Sequence, residues 1–299
     1  MKRYATGAIL LLLMAALLWD NQTAAQAVRD GLNLCARSVI PALFPFFVAV
    51  SFFTDLGLAD SLGRFLAPVT GPLLGCSGAG SAAFLLGLLG GYPVGARTVG
   101  ELYASGAVDR GEAEHLLSFC NNCGPSFVVG IAGVGCFHSA VAGVSLYLIH
   151  VSAALLVARL RRHPNALPAR RTVRAAPPPL TVAFIRSVTQ GAEAMVHICA
   201  FVVFFMTVLR LAVLHTGLSH PLPLGLVELT GGVLRLPPDR AGFLMAAGLI
   251  GWGGLSVHCQ TAAALAGTGV RLKKHFWARM LHGMLAAGMM LAVCRAGGS

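Results

Sequence analysis

Two short stretches set helix breakers and polar side chains inside sequence otherwise apolar enough for a bilayer. They are Gly90-Gly91-Tyr92-Pro93-Val94-Gly95-Ala96-Arg97 and Cys120-Asn121-Asn122-Cys123-Gly124-Pro125-Ser126. Lipid cannot hydrogen-bond a freed backbone amide, so a broken helix at membrane depth survives only under protein or beside a water-filled cavity. Pro93 has no amide, and its ring disrupts the preceding turn. Freed carbonyls and helix ends, with the donors and acceptors of Asn121 and Asn122, suit recognition of a small polar solute rather than bond-making. The competing reading of the two asparagines is a capped turn, where Asn, Gly and Pro are ordinary. A third polar break, Trp252-Gly253-Gly254-Leu255-Ser256-Val257-His258-Cys259-Gln260-Thr261, follows in the second half.

The expected solute-binding set is therefore Gly91, Tyr92, Pro93, Gly95, Asn121, Asn122, Gly124, Pro125, Ser126, Ser256, His258 and Gln260. Glu228 joins it as a carboxylate in apolar surroundings, a proton or cation site if it is not simply interfacial. Arg97 and Glu101 stand at i, i+4 and form either a surface pair or part of a polar path. Cys120-x-x-Cys123 has no second CxxC beside it, so a redox or zinc pair is less favoured than two small buried hydrophobes. No catalytic residue is assigned. There is no Ser-His-Asp order, Walker loop or HExxH, and Gly75-x-x-Gly78-x-Gly80 lacks the preceding strand of a dinucleotide fingerprint. No metal and no cofactor are expected.

These residues need apolar elements to carry them. The 299 residues are 56% hydrophobic and 11% charged, against about 25% charged in soluble domains. That composition excludes a soluble core and gives an all-α, polytopic membrane protein whose first partner is the lipid bilayer. The net charge of +11 does not argue for nucleic acid. Much of it sits between Arg159 and Arg174 without interleaved aromatics, which reads as a cytoplasmic loop. Apolar runs near the span length lie at Thr6–Trp19, Val39–Phe53, Ala79–Ala96, Ser139–Leu160, Met195–Val213, Ala241–Leu255 and Phe276–Val293. Lys2-Arg3 and Thr6–Trp19 form an uncleaved first helix or, alternatively, a signal peptide cut near Ala25-Gln26-Ala27. Ala27–Arg37 and Phe184–Glu193 are amphipathic and expected at the interface.

Placing both Lys2-Arg3 and the 161–179 linker in the cytoplasm of a cell-membrane protein requires four spans before the linker. Phe127–Phe137 then becomes a re-entrant segment, Arg97–His115 faces outside and Arg271–Lys274 inside. The expected organisation is a first membrane repeat over 1–160, the basic linker 161–179, and a second repeat over 180–299. The halves superpose at a shift of about 160 residues, and in this topology Val39–Phe53 runs inward while its partner Met195–Val213 runs outward, which would make them inverted repeats. Gly31 meets Gly191, Phe44 meets Phe204, Thr70-Gly71 meets Thr230-Gly231, and Gly87–Gly90 meets Gly248–Gly251 at one residue more.

The order Pro41-x-x-Phe44-Pro45-Phe46, Gly91-Tyr92-Pro93-x-Gly95-Ala96, Phe119-x-Asn121-Asn122-x-Gly124-Pro125 and Glu228-x-Thr230-Gly231 resembles the sporulation integral membrane protein family. That family carries the nucleoside-recognition, or Gate, domain. The resemblance runs from about Asn33 to Thr268. It implies a Gate-type helical bundle in an endospore-forming bacterium, linked to spore cortex formation, and a wider group that includes segments of nucleoside and ferrous-iron transporters. The function expected is passage of an unknown small polar solute. The alternative is a non-transporting scaffold for sporulation membrane partners or a homo-oligomer. A weaker third reading, an intramembrane enzyme, would need a clustered acid–base pair, with Glu101, Glu193, Glu228 and His258 as the groups to compare.

Overall fold

The computed structural model describes residues 2–161, 178–217 and 219–296, and among them every regular element is a helix. The body of the linker expected at 161–179 falls outside the described residues. The helices are α1 (Lys2–Trp19), α2 (Asn21–Asp55), α3 (Leu58–Leu74), α4 (Gly78–Gly90), α5 (Val94–Ala104), α6 (Arg110–Leu116), α7 (Ser126–Cys136, π-helical) and α8 (Ala140–Leu160). After the linker come α9 (Leu180–Thr216), α10 (Pro221–Val227), α11 (Leu229–Val233), α12 (Arg240–Trp252), α13 (Gly254–Ala264) and α14 (Lys273–Ala296). The long apolar stretches are α2, α8, α9, the α12–α13 pair and α14, each long enough to cross a bilayer. The protein is a polytopic membrane helical bundle.

At 35 and 37 residues, α2 and α9 exceed the roughly 20 that a span requires. They lie antiparallel. Gly31 of α2 packs on Val203 of α9, Gly191 of α9 packs on Phe44 and Val48 of α2, and the Phe52 and Phe184 rings meet edge to face at 5.9 Å. The matched glycines Gly31 and Gly191 thus do the same work, letting one backbone approach the other. Pro41 and Pro45 remove ladder amides from α2, and a π-helical turn at Cys35–Val39 precedes them. The amphipathic segments expected at the interface are the first parts of these long helices. Some of their polar residues line cavities: Asp30 on one side, Arg186, Gln190 and Glu193 on the other.

Two helical hairpins enter from opposite ends. In the first, α4 and α5 turn back on each other at Gly91–Pro93, with Gly87 against Gly95 and Gly90 against Val94. In the second, α10 and α11 turn at Glu228, with Gly225 against Gly232. The α4–α5 hairpin opens at the end where Arg161 and Pro178 stand (the linker end). The α10–α11 hairpin opens at the far end.

This arrangement corrects the expected threading. The re-entrant piece is α4–α5, not Phe127–Phe137. The chain from Leu117 to Cys136 crosses toward the far end, where the Cys136 thiol donates to Val233 O at 3.1 Å. The loop region Arg97–His115 does not lie opposite Arg271–Lys274. Lys274 Nζ reaches Glu114 Oε2 at 2.8 Å, so both are at the linker end. The pairing of Gly87–Gly90 with Gly248–Gly251 also fails. Gly87 and Gly90 pack inside a hairpin, whereas Gly251 packs on Gly283 of α14 in a through-running helix. Likewise Thr70-Gly71 lies in α3, while Thr230-Gly231 lies in a hairpin arm. Helices α8 and α14 pack on each other. His150 and His282, 132 residues apart, stack at 4.4 Å.

A methyl group on Gly87 would lie 1.7 Å from Cys120 O, and one on Gly95 2.1 Å from the same atom. Overpacking a tight site costs about 1–3 kcal/mol or more. Gly87→Ala and Gly95→Ala should each lower the thermal unfolding midpoint in detergent by several degrees or abolish folded yield. Gly288→Ala, with open space around it, should be neutral or stabilising.

Candidate solute site between the hairpin tips

Asn121 holds the first hairpin in place. Its Oδ1 accepts from Ala96 N–H (3.2 Å), and its Nδ2 donates to Thr261 Oγ1 (2.8 Å) on α13. The amide at the start of α5, freed by the turn, is thereby satisfied by a side chain. Just before it, Cys120 O is wedged between Gly87 and Gly95. Gly91 takes φ +75°, and its backbone touches Gly124, so the tip and the break after Asn122 meet backbone to backbone.

Tyr92, at the tip, points into the second half. Its hydroxyl donates to Ile250 O (3.4 Å) and accepts from Arg279 Nη2. Arg279 is fully buried on α14, with its guanidinium over the Tyr92 ring at 5.4 Å. It also donates to Ile250 O (3.3 Å) and to His282 Nδ1 (2.9 Å). His282 therefore carries its proton on Nε2 and donates to His150 O at 3.0 Å. His150 Nε2 accepts from Cys123 N–H at 3.1 Å. One network thus joins the hairpin tip, α14, α8, α12 and the break at Cys123. Among the described residues no carboxylate forms an ion pair with Arg279.

The second tip is closed by Glu228, which is 1% exposed. Its Oε1 accepts from Thr230 N–H (3.0 Å) and its Oε2 from Gly231 N–H (2.6 Å). Gly254, at φ +80°, lets the α12–α13 break press on Gly225 O and Leu229 N. Trp252 Nε1 donates to Leu226 O at 2.9 Å.

Where the tips approach lies a cavity of about 50 Å³, room for a water or two. Of the residues expected to bind solute, Gly91, Tyr92, Gly124, Glu228, Ser256 and Gln260 line it. The rest stand elsewhere. Asn121 and Asn122 are fully buried, the first as described and the second donating to Phe119 O. Gly95 packs on Cys120, Pro125 and Ser126 begin α7, and His258 packs on Trp252 at 4.3 Å and on His275 at 5.3 Å. Pro93 lines a larger cavity of about 680 Å³ at the linker end, together with Arg97, Glu101, Arg186, Glu193 and His197. Arg97 and Glu101 pair there at 3.0 Å and stay half exposed. A third cavity of about 190 Å³ opens at the far end beside Asp30, Arg210 and Arg235. Glu228 lines both the central and the far-end cavity, and Gln260 and Ile198 line both the central and the linker-end one. Of the groups in the enzyme reading, Glu101 and Glu193 line the linker-end cavity while Glu228 lines the other two. Cys120 and Cys123 are free thiols, and among the described residues no three metal-ligating side chains cluster.

Sequence reasoning missed Arg279, His150 and His282. A signal existed for the first: an arginine inside the apolar run Phe276–Val293, where a charge is expensive and marks a functional place. Tyr92→Phe removes the acceptor facing a buried guanidinium and should cost about 1–3 kcal/mol. Tyr147→Phe, whose half-buried hydroxyl only donates to Leu88 O (3.1 Å), should cost less. Thermal unfolding of the two variants in one detergent makes the comparison.

Residues 36–160 match the family model described as Gate, nucleoside recognition. The chain is 28% identical to the sporulation integral membrane protein YlbJ of Bacillus subtilis (strain 168), an alignment covering 93% of this chain and 79% of that protein. No solved structure matches the chain. The chain is thus a helical membrane protein that matches the Gate, nucleoside-recognition model over residues 36–160 and is similar along nearly its whole length to that sporulation protein.

Proposed function

We propose that the protein is a permeation pathway for a small polar solute, which passes between the tips of the two hairpins. The observation that carries this reading is the sequence of three cavities with shared walls, running from one end of the bundle to the other through a narrow centre. Irregular backbone at such depth is characteristic of solute sites in transporters with inverted repeats. Recognition uses glycine backbone at Gly91 and Gly124, the Ser256 hydroxyl, the Gln260 amide and Glu228. Asn121 positions the first tip through Ala96 and Thr261. No bond-making step is required of any of them.

The two membrane repeats, 1–160 and 180–299, would supply one hairpin each, with the basic linker and the N-terminus cytoplasmic under the positive-inside rule. In this orientation the larger cavity opens to the cytoplasm. A place in sporulation and cortex formation rests on the likeness to the Bacillus protein, and the family description makes nucleosides the first solutes to try.

The test is uptake of labelled nucleosides and labelled amino acids into liposomes carrying the purified protein. At least one class should enter faster than into protein-free vesicles. Gln260→Phe, which narrows the junction of the central and linker-end cavities, should cut that rate at least tenfold while the unfolding midpoint moves by only a few degrees. Uptake no faster than in empty vesicles, from protein that is folded, overturns the reading.

A further inference from the structure

The central cavity is asymmetric in charge. Among the described residues lining it, Glu228 alone brings a carboxyl group; the polar remainder includes Ser256, Gln260 and Thr230. Every partner of the carboxylate comes from its own tip: the Thr230 and Gly231 amides, with the Thr230 hydroxyl beside it. A carboxylate offers about four acceptor positions, so capacity remains on a group that faces two cavities at once. The nearest arginine does not neutralise it directly. Arg235 donates instead to Gly231 O at 2.8 Å and lies on the far-end side of the tip. Arg279 stands behind Tyr92, which lines the cavity while the guanidinium does not.

The cavities on either side are mixed. Arg97, Arg186, Glu101, Glu193 and Asp55 share the linker-end one, and Asp30, Arg210 and Arg235 the far-end one. A solute of either sign can therefore enter a vestibule, and discrimination falls to the centre. Low-dielectric walls strengthen the field of a single charge there. We infer that the central constriction selects by charge, with Glu228 admitting neutral or cationic, hydrogen-bond-donating groups and rejecting anions. This rests on the permeation reading and adds to it the chemical class of what passes.

Cys123 lines the same cavity and serves as a reporter. The experiment uses the full-length chain in liposomes with Cys199, Cys259 and Cys294, the thiols not fully buried, changed to Ser. Three thiosulfonates are compared: neutral methyl, cationic trimethylammonium-ethyl and anionic sulfonatoethyl. Each rate is divided by that reagent's rate with free cysteine, and labelling that persists in Cys123→Ala is subtracted. The closed cavity is smaller than the charged reagents, so reaction reports the opened pathway.

The neutral and cationic reagents should modify Cys123, and the anionic one at least tenfold more slowly than the cationic one. Glu228→Gln should bring the two charged rates within about threefold, and Glu228→Asp should keep the preference. If Glu228→Gln does not fold, the ratio in the Glu228 protein decides alone. Equal normalised rates for cation and anion overturn charge selection and leave the pathway standing. Failure of even the neutral reagent to reach Cys123 overturns the pathway itself, and the selectivity with it.

Discussion

Backbone broken at membrane depth must find its hydrogen bonds within the protein, and the rest of this structure depends on how that is done. An orphaned amide in hydrocarbon costs several kcal/mol. Here side chains close the gaps: Asn121 for Ala96, Glu228 for Thr230 and Gly231, and His150 for Cys123. Each is buried, and each satisfies an amide beside a turn or break. The polar residues that make this bundle look like a site are thus divided between two tasks. Some hold backbone, and others line space.

Close backbone contact is the second half of the same solution. Gly87 and Gly95 clasp the carbonyl of Cys120, Gly91 meets Gly124, and Gly254 meets the second hairpin. Side chains at these positions would push apart the segments whose meeting forms the cavity. The glycine content, 36 of 299 residues, is a packing requirement of hairpins that must touch tip to break. The Arg279 network then locks the first tip to α8, α12 and α14, so that the central wall is rigid on the Tyr92 side. The Glu228 side rests on a hairpin of only two short helices.

The motifs were legible because helix breakers in apolar sequence are rare and expensive. Six of the thirteen residues expected to bind solute line the central cavity. The asparagines illustrate why others do not. Their donors and acceptors suit a solute and a backbone equally well, and only the position of Ala96 and Thr261 around Asn121 decides between them. The histidines were illegible for a related reason. His150 and His282 lie 132 residues apart and acquire meaning only when α8 and α14 are side by side.

The sequence by itself determined an all-helical membrane chain and its breaks. Hydropathy and charge are properties of segments, and lipid acts on segments one at a time. What only the tertiary structure decided was which broken segment turns back and which runs through. A Gly-Tyr-Pro turn in α4–α5 and an Asn-Asn-Cys-Gly-Pro break before α7 each fit a half-span equally well. The choice falls to contacts between distant residues, Cys120 on Gly87 and Gly95 and Lys274 on Glu114, and no local pattern encodes them.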